Sequence, residues 1–318
     1  MAQNLARGTT ALICGSVAYD TILVFPDRFK AHILPDKLHT LNVSFLVPDM
    51  RREFGGCAAN IAYGLNLLGD RGITMATAGE DFAPYRERMV SQGLSVEHIK
   101  LVDGTFTAQA FITTDLDDNQ ITAFHPGAMQ FAHLNKVTEA GSGITLGIVA
   151  PDGRQAMIEH AAQFEAASIP FIFDPGQGLP MFGGDELKTF IRQARWVAVN
   201  DYEWGLLQQK TGLTVSDVTA QVEALVVTRG AEGSVIYSKA KTVTVPCAKP
   251  KAVVDPTGCG DAYRAGLIHG LLQGLDWETS GRVASLMGAI KIESRGPQNH
   301  SFTMPEFERR YRDNFGNA

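Results

Sequence analysis

The residues best equipped for chemistry lie together in Asp255-Pro256-Thr257-Gly258-Cys259-Gly260-Asp261-Ala262-Tyr263-Arg264-Ala265-Gly266. Gly258 and Gly260 allow a turn in which backbone amides converge, and the helix they open adds the positive end of its dipole. A phosphate is a natural occupant of such a turn. Asp261 carries the wrong charge for a phosphate cradle unless it has work there, such as taking a proton from a hydroxyl that attacks phosphorus. A carboxylate in a first helical turn also satisfies free amides, so the segment alone is consistent with either role. Cys259 is similarly open between a helix-end thiol of lowered pKa and an inert small residue.

Stepping along the helix, Ala262, Ala265, Gly266 and Gly270 form a stripe at helical spacing, which predicts close packing against a sheet and a rigid first turn. The rest of the chain predicts that sheet. Apolar runs at Leu12–Val17, Thr74–Ala78, Gly147–Ala150, Phe171–Asp174, Trp196–Asn200, Ala224–Thr228 and Ser234–Tyr237 alternate with amphipathic stretches at Gln155–Ala167, Asp185–Ala194 and Glu203–Lys210. Such alternation predicts an α/β fold, a mainly parallel sheet covered by helices on both faces, with its active site at the carboxyl ends of the strands. Gly15-Ser16, Asp174-Pro175, Asn200-Asp201 and Thr228-Arg229-Gly230 fall at those ends.

Residues 20–54 and 104–128 break the pattern. Leu41–Val47 and Ala108–Thr113 alternate like strands without crossover helices, and Asp117-Asp118-Asn119 reads as a turn. They predict a small projecting β-sheet, either a lid or an ordinary edge extension. Residues 1–19, 55–103 and 129–318 then form the core.

The 318 residues suffice for a large core, and 28 basic against 34 acidic residues give a net charge of -6 without long single-sign runs. That balance argues against a nucleic-acid partner, and no apolar run approaches a membrane span. Cys14, Cys57, Cys247 and Cys259 are widely spaced and show no metal-ligand pattern, as expected of reduced thiols in the cytoplasm. The apolar N-terminal run after Arg7 reads as a first strand rather than a signal peptide.

Further constellations carry polar chemistry. Gly55-Gly56-Cys57-Ala58-Ala59-Asn60 opens a second small-residue helix; its glycines admit a ligand close to the backbone, and Asn60 offers donor and acceptor to vicinal hydroxyls. A tight turn with a locally bonded Asn60 also accounts for it. Asp20 follows the first strand, where turn residues are common. Asn200-Asp201-Tyr202-Glu203 is also a helix cap, and Thr228-Arg229-Gly230-Ala231-Glu232-Gly233 also a plain turn. No G-x-x-x-x-G-K-[ST] occurs, which removes the P-loop route, and no strand-to-helix G-x-G-x-x-G occurs, which disfavours a nicotinamide enzyme.

Together these segments resemble the ribokinase (PfkB) family of small-molecule kinases, in family order and over nearly the whole chain. The Asp255–Asp261 segment is similar to the family's D-T-x-G-A-G-D, with Pro256 in place of Thr and Cys259 in place of Ala. The resemblance implies a ribokinase-like three-layer α/β/α fold with a β-sheet lid, ATP as cofactor, and Asp261 as general base over an amide anion hole at Gly258, Cys259 and Gly260. It implies substrate contacts from Ser16, Asp20, Gly55, Gly56, Asn60 and Gln109. Asn200, Thr228, Gly230 and Gly233 would approach the nucleotide, and Glu203 would hold Mg²⁺ through water. Arg154 and Arg264 are candidates for the triphosphate. Asp255 and Thr257 match positions that help form a monovalent-cation (K⁺) site in many relatives, with Pro256 a departure between them.

The lid segment Asp118–Met129 and Gly296-Pro297-Gln298-Asn299-His300 look most like bacterial and archaeal adenosine or nucleoside kinases. The expected acceptor is the 5′-hydroxyl of adenosine or a related nucleoside, with Phe111, Phe124 and Met129 offering apolar surface to a base. A ribokinase- or ketose-kinase-type sugar kinase is the alternative, and a non-catalytic sensor a third reading. A homodimer through the lid is also expected.

Overall fold

A computed structural model describes residues 10–33, 42–117 and 119–316. Arg7, Leu41 and Asp118, named in the sequence readings, lie outside these residues. The strands in chain order are β1 (Thr10–Cys14), β2 (Ala18–Val24), β3 (Asp49–Gly55), β4 (Arg71–Ala78), β5 (His98–Leu101), β6 (Ala108–Thr114) and β7 (Gln120–His125). They continue with β8 (Ile144–Val149), β9 (Phe171–Phe173), β10 (Trp196–Asn200), β11 (Ala224–Thr228), β12 (Ser234–Ser238) and β13 (Thr242–Val245).

Nine of them form one sheet in the order β13-β12-β11-β10-β9-β8-β1-β4-β5. Every pairing from β11 through to β5 is parallel, and β12 and β13 add an antiparallel edge. Both faces are covered, which is why Ala11–Cys14 of β1 and Trp196–Val199 of β10 are continuously apolar rather than alternating. Ala11 and Ile13 of β1 enter one core cluster, while Leu12 and Cys14 enter the other.

The small-residue stripe has a different purpose from the one its spacing predicts. A Cβ on Gly266 would lie 2.5 Å from the Ala284 Cα, one on Gly270 2.3 Å from the Ser280 Oγ, and one on Gly64 2.6 Å from the Ala265 Cβ. These glycines therefore seat the helices Cys57–Leu67, Cys259–Leu272 and Trp277–Lys291 against one another, not against the sheet.

The remaining four strands form a separate sheet, β3-β2-β6-β7. It contains an antiparallel pair on each side of a parallel β2–β6 pairing. The expected strand at 41–47 is displaced: residues 42–48 have no regular pairing, and β3 carries the alternation one segment later. β2 leaves the main sheet through Gly15, Ser16 and Val17, and β3 returns through Gly55 and Gly56, so the small sheet stands over the carboxyl ends of β1 and its neighbours. Among the described residues, no helix is long and apolar enough to cross a membrane.

Candidate active site

Two helix N-termini meet at one carboxylate. Gly258 caps the Cys259–Leu272 helix at φ +81, a left-handed conformation that strains any other L-residue, and a Cβ there would also lie 2.6 Å from the Pro297 Cβ. The turn thus rests directly on the Gly296–Pro297 segment. Gly56, at φ +93, opens the Cys57–Leu67 helix so tightly that a Cβ would be 2.6 Å from the Ser16 carbonyl. The Ser16 hydroxyl in turn accepts a hydrogen bond from the Cys57 amide at 3.1 Å. One turn into that helix, Asn60 donates from Nδ2 to Asp261 Oδ2 at 2.8 Å.

Asn60 is itself fixed. Gln298 Nε2 donates to Asn60 Oδ1 at 2.9 Å and to the Tyr85 hydroxyl at 2.6 Å, and Tyr85 donates to the Gly55 carbonyl at 2.7 Å. A buried chain of hydrogen bonds therefore joins the first glycine turn to the Asp261 carboxylate. Sequence reading had assigned no role to Tyr85 or Gln298. Tyr85 has no local signal, since its role arises from a fold contact, whereas Gln298 lies inside the Gly296–His300 segment already singled out.

Burial raises Asp261 to about 7, an effect opposed by the Asn60 hydrogen bond and reinforced by the charge of Asp174. Asp174, at the end of β9, forms a buried two-pronged ion pair with Arg264, at 3.0 and 3.1 Å. This pair lies electrostatically between Asp261 and Glu203: burial raises the Glu203 pKa first, the charge of Asp174 second, and Arg264 opposes. Asp174 is thus a site residue that sequence reading located at a strand end but left without a role. Arg264 is committed to it by two nitrogens, and only Nη1 is left without a partner. Arg154 points elsewhere, pairing with Glu186, donating to the Met181 carbonyl at 3.3 Å and lying over the Phe182 ring.

Glu203 and Asn200 form a reciprocal cap. Asn200 Oδ1 accepts from the Glu203 amide at 2.7 Å, and the Glu203 carboxylate accepts from the Asn200 amide at 2.8 Å and from its Nδ2 at 2.9 Å. Among the described residues no group of three His, Cys, Asp or Glu side chains is placed to hold a metal. A single half-buried carboxylate beside Asp174 suits a hydrated Mg²⁺, which retains its waters. Thr228 is the cross-strand partner of Asn200, and the turn through Gly230 and Gly233 is the β11–β12 hairpin, with both glycines at positive φ.

In the small sheet, Glu53, Asp20, Ala110 and Phe124 are successive cross-strand partners and share one face. Asp20 is raised to about 6 by burial, then by the charges of Asp255 and Glu53, and its carboxylate lies where a Cβ on Gly55 would be, at 2.7 Å. Gln109 and Phe111 correct the expected set. Their register places them on the opposite face, where Gln109 donates to the Thr21 hydroxyl at 2.5 Å. Phe124 is 52% exposed on the Asp20 face.

Of the two readings open for the Cys259 thiol, the inert small residue is the one its surroundings favour. Burial pushes it up to about 11 despite its helix-end position, with Lys291 opposing and Asp255 and Asp261 adding to the rise. Cys57 is likewise pushed up, by burial and then by the Asp261 and Asp174 charges. A concavity of about 700 Å³ opens at the amino ends of the strands, but the Arg195 and Glu223 in its wall are paired with each other and lie far from this chemistry.

Fold and site together define the ribokinase-like α/β class, a mainly parallel sheet with a smaller separate sheet over its carboxyl edge. The model of the pfkB family carbohydrate kinases matches residues 17–304, and the chain belongs to that family. It is similar to a Burkholderia thailandensis nucleoside kinase solved in complex with inosine, with a TM-score of 0.88 and 51% identity over 96% of this chain and 98% of that one. The same kinase in complex with ADP-inosine superposes with a TM-score of 0.86 and 52% identity, covering 96% of each chain. A nucleoside kinase of Methanothermobacter thermautotrophicus is 31% identical over 301 residues, 93% of this chain and 97% of that protein.

Proposed function

We propose that this chain transfers the γ-phosphoryl group of ATP to the 5′-hydroxyl of a purine nucleoside, with adenosine and inosine as acceptors. The observation that carries this reading is the Asp261 carboxylate, raised to about 7 and held by Asn60 inside a helix-end amide turn. A base poised near neutrality takes a hydroxyl proton efficiently while the amides receive the developing phosphoryl charge. The 5′-hydroxyl loses its proton to Asp261 as its oxygen bonds to phosphorus, and the bond from phosphorus to the ADP oxygen breaks in line. Asp20 and Asn60 orient the ribose hydroxyls, and Phe124 on the Asp20 face offers an apolar ring to the base. Glu203 would hold Mg²⁺ through water, and the ion would supply charge neutralisation at the phosphates.

The relatives support a nucleoside over a free sugar, since one of them is described in complex with inosine and with ADP-inosine. The exposed β7 edge, with Ile121 and Phe124 in the open, supports a homodimer through the small sheets, and free thiols agree with a cytoplasmic setting. A coupled ADP-release assay over adenosine, inosine, ribose and fructose tests the acceptor. Faster turnover with a free sugar overturns the nucleoside assignment; no turnover with any acceptor overturns the kinase.

A further inference from the structure

The K⁺ site implied by Asp255 and Thr257 does not fit an ion in this structure. Lys291 closes the Trp277–Lys291 helix with its side chain wholly buried. Its Nζ donates to the Asp255 carbonyl at 2.7 Å and to the Ser294 carbonyl at 3.2 Å. Peptide oxygens converging beside a carboxylate are the donor set that a hard monovalent cation uses. Here an ammonium already satisfies them, and a second cation at contact distance is repelled by the first. The Asp255 carboxylate is engaged as well, accepting the Thr257 amide at 2.9 Å and the Gly296 amide at 2.9 Å.

We propose that the Lys291 ammonium is a built-in replacement for the monovalent metal ion, so that this chain works without K⁺. The two carbonyls it draws together belong to the two segments that shape the site. Asp255 leads into the turn at Gly258, while Ser294 leads into Gly296–Pro297, on which that turn rests, and then into Gln298, which fixes Asn60 against Asp261. The backbone pairing of Val254 and Asp255 amides with the Ile292 carbonyl joins the same segments. Lys291 is therefore a positioning residue: it acts on the amides and on Asp261 through the segments it clamps. In chemical terms a fixed ammonium replaces an ion of equal charge and spares the cost of capturing it from solution.

The inference rests on the kinase reading only for its activity readout, so a binding readout accompanies it. Purified protein is exchanged into tetramethylammonium chloride and titrated with KCl at constant ionic strength, following the thermal midpoint, thallium(I) binding by NMR, and ADP release. The wild type is expected to show no saturable response to KCl in any of the three. Lys291→Met is expected to lose roughly tenfold or more in kcat/KM, as small displacements of a reacting geometry do. It should also melt lower and bind thallium(I), and KCl should restore both midpoint and activity saturably. A Lys291→Met protein that is destabilised but indifferent to KCl overturns the proposal and leaves a plain structural clamp. So does a wild type that KCl activates or stabilises saturably, a result obtainable even if the variant does not fold. Absence of turnover with intact midpoint and thallium responses counts against the kinase reading alone.

Discussion

Asp261 and Glu203 are both half-buried carboxylates shifted upward, yet their partners give them different work. Asp261 faces the helix-end turn with Asn60 donating to one of its oxygens, so it remains available to a proton. Asp261→Asn keeps an acceptor for Asn60 and should lose about 10²–10⁴-fold in kcat, read from ADP release. In the wild type, kcat/KM should fall as pH drops through about 7, because the protonated acid cannot accept the hydroxyl proton. Stability runs the other way. With a folded value of about 7 against 3.8, the folded state binds more protons between those values, so this group's contribution to stability falls as pH rises through that window. Asp261→Asn should therefore gain on the order of 1–3 kcal/mol in denaturant melts above pH 7 and little near pH 4; equal effects at both would show that the carboxylate is not desolvated. Glu203→Gln keeps an acceptor for the reciprocal cap, so its fold should hold while the Mg²⁺ concentration for half-maximal rate rises. An unchanged Mg²⁺ titration would leave Glu203 as a cap alone.

Among the elements, the glycine turns do what no other residue allows. Gly55 ends β3 with its missing Cβ at the Asp20 carboxylate. Gly55→Ala is expected to displace Asp20 and raise the KM for the nucleoside by about tenfold with a smaller change in kcat, since ribose binding precedes the chemical step. A selective fall in kcat would place Asp20 in the reaction itself rather than in binding. The three helices around Gly64, Gly266 and Gly270 show why a small-residue stripe is ambiguous in one dimension. Its spacing announces close approach to something, and only the packing reveals that the partner is another helix. The β2–β6–β7 register is equally decisive, because a period of 2 sorts Asp20 and Phe124 to one face and Gln109 and Phe111 to the other.

At the scale of the whole molecule, the proposed reaction has the small sheet over the carboxyl edge select the acceptor. Burying a base against it should contribute on the order of a few kcal/mol, about a hundredfold in affinity, so adenosine and inosine should exceed ribose in kcat/KM by at least about tenfold. Phe124→Ala should narrow that gap without changing the rate on ribose; an unchanged gap would remove Phe124 from the base site. Much of this architecture was legible in the chain itself. Continuous apolar runs alternating with amphipathic stretches specify a parallel sheet covered on both sides, because strands buried on two faces cannot alternate. The Gly55–Asn60 and Gly258–Asp261 segments announced their turns, because only glycine adopts those backbone angles without strain. Other features required the third dimension. Asp174 meets Arg264 across 90 residues, Gln298 meets Asn60 across 238, and Lys291 donates to the carbonyl of Asp255, a residue whose resemblance implied a cation site. Local sequence determines backbone conformation and periodicity, whereas the partners of a buried charge are chosen by which distant segments the folded core brings within hydrogen-bonding reach.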